Sequence, residues 1–216
     1  MDKAEPNLEF TISIASSADV VDMAILLGGI FSKSEPPAVA AGFPASKIEE
    51  LAKVFGEKSV RENLSVVARS SDTGDTVGAL LAHDFGTPPP DEIGPLVPTF
   101  EPLLAFLGQL EDKYRTTHTI AEGDFVHVFM IAVDDAWSGK GIAQQLLQAC
   151  MSNGASNGYR FALTEATSDL SRHVFRNIGF QELHFASYED FEFQGTRPFA
   201  SISDHKGCAL MEMKIT

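Results

Sequence analysis

Hydrophobic and polar positions along this 216-residue chain change period several times, and each change predicts an element. Leu8–Ile14 alternates strictly, with Leu8, Phe10, Ile12 and Ile14 on one side, and predicts a half-buried strand. From Val20 to Phe31 the spacing becomes helical, through Val20, Met23, Ala24, Leu27 and Ile30, and Ser16, Ser17 and Asp19 stand ahead of it as caps. This helix is expected to stop near Ser34. Pro36 and Pro37 cannot continue it, and Glu35, preceding a proline, is pushed out of the α region. Ser46-Lys47-Ile48-Glu49 has the form of a capping box for a second helix with Leu51, Val54 and Phe55 facing inward. Leu64–Arg69 and Thr76–Phe85 read as strands joined by a turn at 71–75.

Residues 86–124 break this rhythm. Gly86-Thr87-Pro88-Pro89-Pro90 is extended and stiff, and Leu103, Leu104, Phe106, Leu107 and Leu110 predict a helix at about 102–114. The stretch is too small for its own core, so it reads as a helical insertion in one domain spanning 1–216. Further on, Phe161–Glu165 predicts a parallel strand, 168–177 a helix closed by Gly179, and Gln181–Phe193 and Gly207–Ile215 two more strands. Phe193–Asp204 is expected to be a long loop.

The rest is organised around residues 126–150. Val126–Val133 is an apolar, β-branched and aromatic run holding one histidine, so it predicts a buried strand. Ile142, Leu146 and Cys150 then recur at helical spacing, with Ala143 and Leu147 beside them. Between strand and helix lies Ser138-Gly139-Lys140-Gly141-Ile142-Ala143. A glycine-bearing turn opening a helix aims several free N–H groups, reinforced by the helix dipole, at one anion. A Walker loop needs a hydroxyl after the lysine, where Gly141 stands, and a dinucleotide turn needs a third glycine, where Ala143 stands.

This turn resembles the Q/R-x-x-G-x-G/A acyl-CoA loop of the GNAT N-acetyltransferases, with Ser138 in place of the Gln/Arg. The element order resembles theirs across almost the whole chain. Within that superfamily the sequence looks most like the arylalkylamine, dopamine-type, enzymes at three places. Phe31-Ser32-Lys33-Ser34-Glu35-Pro36 resembles F-x-K-x-E-P. Thr167-Ser168-x-x-Ser171 followed by Gly179-Phe180 resembles S-S-x-x-S-x7-G-F. Tyr188-Glu189-Asp190-Phe191 precedes Gly195 and His205. The resemblance implies an α/β (α+β) GNAT fold, a mixed twisted sheet with splayed central parallel strands flanked by helices. It implies acetyl-CoA as cosubstrate and acetyl transfer to a small, arylalkylamine-like primary amine by direct attack. The alternatives are a protein or peptide N-acetyltransferase and a non-catalytic acyl-CoA-binding sensor.

The resemblance also distributes roles. Glu35 is the expected general base, since an alkylamine with a lysine-like pKa of about 10.4 is almost wholly protonated at neutral pH. His127 is the competing base, expected to share a strand face with Phe129, Ile131 and Val133. Thr167 and Ser171 are expected one helical turn apart, near the thioester sulfur. Phe175 takes the place of the tyrosine with which many relatives protonate the thiolate. Ile131, Ala132 and Val133, with the Ser138–Ala143 turn (Ser138, Gly139, Lys140, Gly141, Ile142, Ala143), are the expected acetyl-CoA contacts, and Phe100, Tyr188 and Phe191 the candidate walls of an aromatic pocket. The amine is expected to enter beneath 86–124 and the Phe193–Asp204 loop.

Composition narrows the partners. A net charge of −14 argues against nucleic acid and acidic membrane surfaces, and favours cationic small molecules or basic peptides. Hydrophobic residues at 44% and charged ones at 21% fit a globular protein, and no apolar run reads as a membrane span or a signal-peptide core. Two cysteines give neither a disulfide framework nor a metal spacing, so a cytoplasmic monomer or homodimer without metal is expected.

Overall fold

Seven strands form one mixed sheet in the order β1-β2-β3-β4-β5-β7-β6. They are β1 Phe10–Ile14, β2 Val66–Ser70, β3 Thr76–Asp84, β4 Phe125–Val133, β5 Phe161–Ala166, β6 Gln181–Ser187 and β7 Gly207–Lys214. The computed structural model describes residues 9–215, so the Leu8 end of the first expected strand lies outside the described residues. The helices are α1 Val20–Ser34, α2 Pro36–Ala41, α3 Ala45–Arg61, α4 Val97–Arg115, α5 Ile142–Ser156 and α6 Asp169–Asn177.

Each face of the sheet buries the apolar stripe of different helices. On one, Ile142, Leu146, Leu147 and Cys150 of α5 and Phe175 of α6 pack with Ala68, Leu80, Ala82, Val126 and Val128. On the other, α1 and α3 bring Met23, Leu27, Leu51 and Phe55 onto Val67, Ala79, Leu81, Met130 and Ala132. Beside them Phe106, Leu110 and Tyr114 of α4, with Tyr188, Phe191 and Phe199, cover Phe125, Leu163, Cys208 and Leu210.

The central strands part company midway. β4 and β5 pair in parallel only from Phe125↔Phe161 to His127↔Leu163. Beyond that β4 stays with β3 as far as Val133↔Gly78, and β5 stays with β7 as far as Ala166↔Ala209. At the fork a side chain stands in for the ladder, as the Thr164 hydroxyl donates to the Val128 carbonyl at 3.0 Å. From Phe129 onward the β5-facing edge of β4 has no strand partner. The expected splay is present.

A bulge in β4 changes which residues share a face. Leu81 pairs with Met130 and Ala82 with Val128, which leaves Phe129 as the extra residue. His127 and Phe129 therefore share their face with Met130 and Ala132, whereas Ile131 and Val133 join the α5 side. The expected company of His127 with Ile131 and Val133 is corrected, because strict alternation fails across a bulge.

Other boundaries move for local reasons. Pro36 and Pro37 end α1 as expected but also start α2, occupying first-turn positions where no N–H is needed. α3 begins at Ala45 behind Pro44 with no side-chain cap, so the Ser46 capping box does not form. A 3-10 turn at Asp91–Leu96 precedes α4, which starts five residues before the expected 102 because Pro98 is tolerated in a first turn. β6 ends at Ser187 rather than Phe193, since Tyr188 and Phe191 turn inward and are buried. By length and composition the segment Asp91–Arg115 could cross a membrane, contrary to the sequence reading, yet here its Phe106, Leu110 and Tyr114 lie in the core. The neck of this segment is clasped by Asp84, whose carboxylate accepts from the Gly86 and Gly123 amides, each at 2.7 Å.

Candidate active site

Glu35 stands between α1 and α2 because the prolines after it force an extended backbone there, at φ −79° and ψ 120°. That conformation makes it the N-cap of α2, and its Oε2 accepts from the Ala38 amide at 2.6 Å. Only 9% of the residue is exposed. Burial pushes its carboxyl up to about 7, against the weaker opposing pull of hydrogen bonding from the Thr167 side chain and the Ala38 amide. At neutral pH this group is therefore poised between acid and base. Beside it, between α1–α2 and the loop before β7, lies a cleft of about 270 Å³ lined by Lys33, Pro36, Val39, Ile202, Asp204 and His205. A larger surface cleft, about 690 Å³, sits at the β2–β3 turn, and its walls hold neither Glu35, His127 nor the glycine turn.

Thr167 follows β5 directly and precedes α6. Ser168 is the N-cap of α6, and it shares a capping box with Ser171. The Ser171 hydroxyl accepts from the Ser168 amide at 3.1 Å and donates to its carbonyl at 2.9 Å. Thr167 and Ser171 thus do not share a helix face, because Thr167 is outside the helix. Of the two, Thr167 is the one at Glu35. The Tyr188 hydroxyl donates to the Thr167 carbonyl at 2.6 Å, fixing that turn, and burial drives its pKa upward.

His127 faces a second charged group that sequence reasoning missed. Its Nε2 lies 2.7 Å from Glu165 Oε2, and its Nδ1 lies 3.2 Å from His83 Nε2. His83 Nδ1 lies 3.1 Å from the Asp84 carbonyl, which can only accept, so His83 carries its proton there and receives one from His127 at Nε2. His83 is held well below the ordinary histidine range, first by burial and then by the positive charge at His127. For His127 burial pulls downward, but Glu165, and Glu111 beyond it, outweigh this and hold it above the ordinary value. Both ring nitrogens of His127 are thus engaged, and its surroundings favour the charged form. His83 sits opposite His127 in the β3–β4 register, a pairing across 44 residues that no local pattern signals.

The glycine turn forms as expected. Asp135–Trp137 makes one 3-10 turn, Gly139 and Gly141 take φ of 74° and 73°, and Gly141 is the N-cap of α5 without a side-chain cap. Positive φ at both is why glycine is needed. The first bond of α5 runs from the Gln145 amide to the Gly141 carbonyl, so the amides of Ile142, Ala143 and Gln144 have no acceptor within the helix. A Cβ on Gly139 would meet nothing within 4 Å, and Ser138 and Lys140 are exposed. Open space before unpaired donors suits a diphosphate. Ile131, Ala132 and Val133 lie on the stretch of β4 that has parted from β5 and leads to this turn.

The remaining candidates are packed. Phe175, which has no hydroxyl of its own to give, is buried against Phe180, Trp137 packs edge-on to Phe10, and Phe100 lies on Phe43. Tyr188 and Phe191 stack with Phe106 and Phe199, so Phe100, Tyr188 and Phe191 form core rather than an open aromatic pocket. Both cysteines are free and buried. Among the described residues no His, Cys, Asp and Glu group is arranged to hold a metal ion.

A seven-stranded mixed sheet forked between β4 and β5, with a glycine turn opening α5, is the fold of the GNAT acetyltransferases. Residues 111–197 match the family model of the acetyltransferase (GNAT) domain. The chain superposes on arylalkylamine N-acetyltransferase 2 from Aedes aegypti with a TM-score of 0.81 at 19% identity, covering 96% of this chain and 100% of that one. Polyamine N-acetyltransferase from Drosophila melanogaster, which forms N-acetylagmatine, gives 0.77 at 16% identity over 95% and 100%. The C-terminal condensation domain of Ebony, bound to β-alanyl-dopamine, gives 0.82 at 15% identity over 96% and 99%. At such identities the likeness defines the fold, and one scaffold carries more than one chemistry.

Proposed function

We propose that this protein is an N-acetyltransferase of the arylalkylamine type, moving an acetyl group from acetyl-CoA to a small primary amine. The observation that carries the reading is Glu35, a buried carboxyl poised at about 7, next to Thr167 where the central strands diverge. Acetyl-CoA would supply the activated thioester, held by the Ser138–Ala143 turn and by the free edge of β4 at Ile131, Ala132 and Val133. Glu35 takes the proton that the amine must lose, a step worth roughly 10²–10⁴ in rate. Once protonated, and with the Thr167 hydroxyl beside it, Glu35 is also the buried donor that can return a proton to the leaving sulfur. Of the two protons an ammonium loses on becoming an amide, Glu35 passes one to the leaving sulfur and the other leaves to solvent, so no tyrosine is needed at Phe175. Unpaired amides of β4 near Ala132 stabilise the oxyanion. His127 has no nitrogen free to act as base, so the site relies on Glu35.

The acidic balance of the chain draws an ammonium toward the cleft at Asp204. Structural neighbours acting on arylalkylamines and on agmatine support small amines as the class. The test is free-thiol release from acetyl-CoA with phenethylamine, tryptamine, spermidine and a lysine peptide. Clear preference for a small amine supports the reading. Preference for the peptide would replace it with peptide acetylation, and binding of CoA without any turnover would replace it with a sensor.

A further inference from the structure

Glu165 uses only half of its carboxylate. Its side chain is 6% exposed, Oε2 is committed to His127, and Oε1 is buried with no hydrogen-bond partner. A buried carboxylate oxygen without a donor is costly, and native structures rarely leave one. A second carboxyl lies close by. Glu111, on α4, is pushed up to about 7 by burial and then by the negative charge of Glu165. The two acids come from different elements, Glu165 from β5 and Glu111 from α4, whose Leu110 and Tyr114 pack with Leu163.

The cations nearby leave this pair short of a partner. His127 spends its Nε2 on Glu165 Oε2 and its Nδ1 on His83. Arg115, one turn after Glu111, reaches it only at 3.9 Å, because its guanidinium lies over the Phe85 ring at 4.3 Å from the centroid. Phe85 in turn stands edge-on to His127 at 5.1 Å, so Arg115 is held to one side of the carboxylates. Glu165 also precedes Thr167 by two residues. Ala40 and Ala41 of α2, the helix that Glu35 caps, pack on the same cluster as Leu163 of β5 and Leu110 of α4.

We propose that Glu111 and Glu165 form a subsite for a second positive charge on the acceptor, so that the preferred substrates are short dications such as diamines. This rests on the acetyl-transfer reading for the chemistry at Glu35, but the binding of the distal cation does not. A second ammonium would give Glu165 Oε1 its missing donor and neutralise the repulsion between the two acids. Its hydrogen bonds would be charge-assisted, and those to Glu165 largely shielded from water.

The experiment compares kcat/KM for putrescine and n-butylamine, which share a carbon chain and differ by one charge. The full chain is expected to favour putrescine by about tenfold or more. Glu111→Gln should cut this ratio toward one. Arg115→Gln, removing the competing internal cation, should raise it. A ratio near one in the parent protein, or a high ratio untouched by Glu111→Gln and Arg115→Gln, overturns the subsite. Should Glu111→Gln fail to fold by circular dichroism, Glu111→Asp and Arg115→Gln read the same ratio. Putrescine titrated calorimetrically into the Glu35→Gln protein separates the two claims. Binding without turnover sustains the subsite even if acetyl transfer fails, and absence of binding sinks it.

Discussion

Replacing Glu35 by glutamine should make the protein more stable and nearly inactive, and the stabilisation should depend on pH. Glutamine keeps the size of the side chain and an acceptor for the Ala38 amide, so the α2 cap survives. What it removes is a buried charge. The Glu35 carboxyl titrates at about 7 in the folded chain against an ordinary 4.5. Its folded pKa is the higher, so the folded state binds the extra proton and the favourable contribution is fully present below the unfolded value. It is lost as pH rises through the folded pKa near 7. The difference corresponds to about 3 kcal/mol at alkaline pH, taking 1.36 kcal/mol for each pKa unit. For a chain of this size that is a melting difference of about 6–12 °C.

The assay is a set of thermal melts of parent and variant between about pH 5 and 9, with turnover measured on the same samples. At the acid end the two curves should nearly coincide. Above neutrality the variant should melt higher, while kcat falls roughly 10²-fold or more with CoA affinity kept. A melting difference that is flat across this range would mean Glu35 does not titrate there, and the argument for a poised base would be refuted. Near-normal turnover would refute the role itself.

Two further perturbations test the frame around the site. Gly141→Val places a β-branched residue at φ 73° where the anion must approach the backbone, so calorimetry should find CoA affinity reduced at least about tenfold while the fold is retained. Unchanged affinity would remove the diphosphate from this turn. Asp84→Ala strips the acceptor from the half-buried amides of Gly86 and Gly123, at a cost of about 1–3 kcal/mol, and hydrogen exchange should rise first in residues 86–124. Uniform loss of protection would mean that the clasp is not local.

The parts of this protein that were legible in its sequence are those fixed by short-range chemistry. Prolines at 36 and 37 announced the extended backbone at Glu35, and glycines at 139 and 141 announced a turn needing positive φ, since both signals are local steric facts. Periodicity located most strands and helices to within a few residues. It failed at Phe129, where one inserted residue reverses the facing of all that follow, and at Ser46, where the motif was present but the helix had already begun. The Glu111–Glu165–His127–His83 group was invisible for a different reason. Its members come from α4, β5, β4 and β3, and only the closed sheet brings them together. The same distinction governs what the two carboxyl centres can do. Glu35 owes its position to neighbours in the chain and its pKa to burial, so any relative keeping the E-P-P step and the cover over it can keep a base there. Glu165 and Glu111 are brought near each other only by the packing of α4, from the segment between β3 and β4, on the sheet. On the reading proposed above, the chemistry of the site is thus written into a local motif, whereas the choice of acceptor depends on tertiary packing.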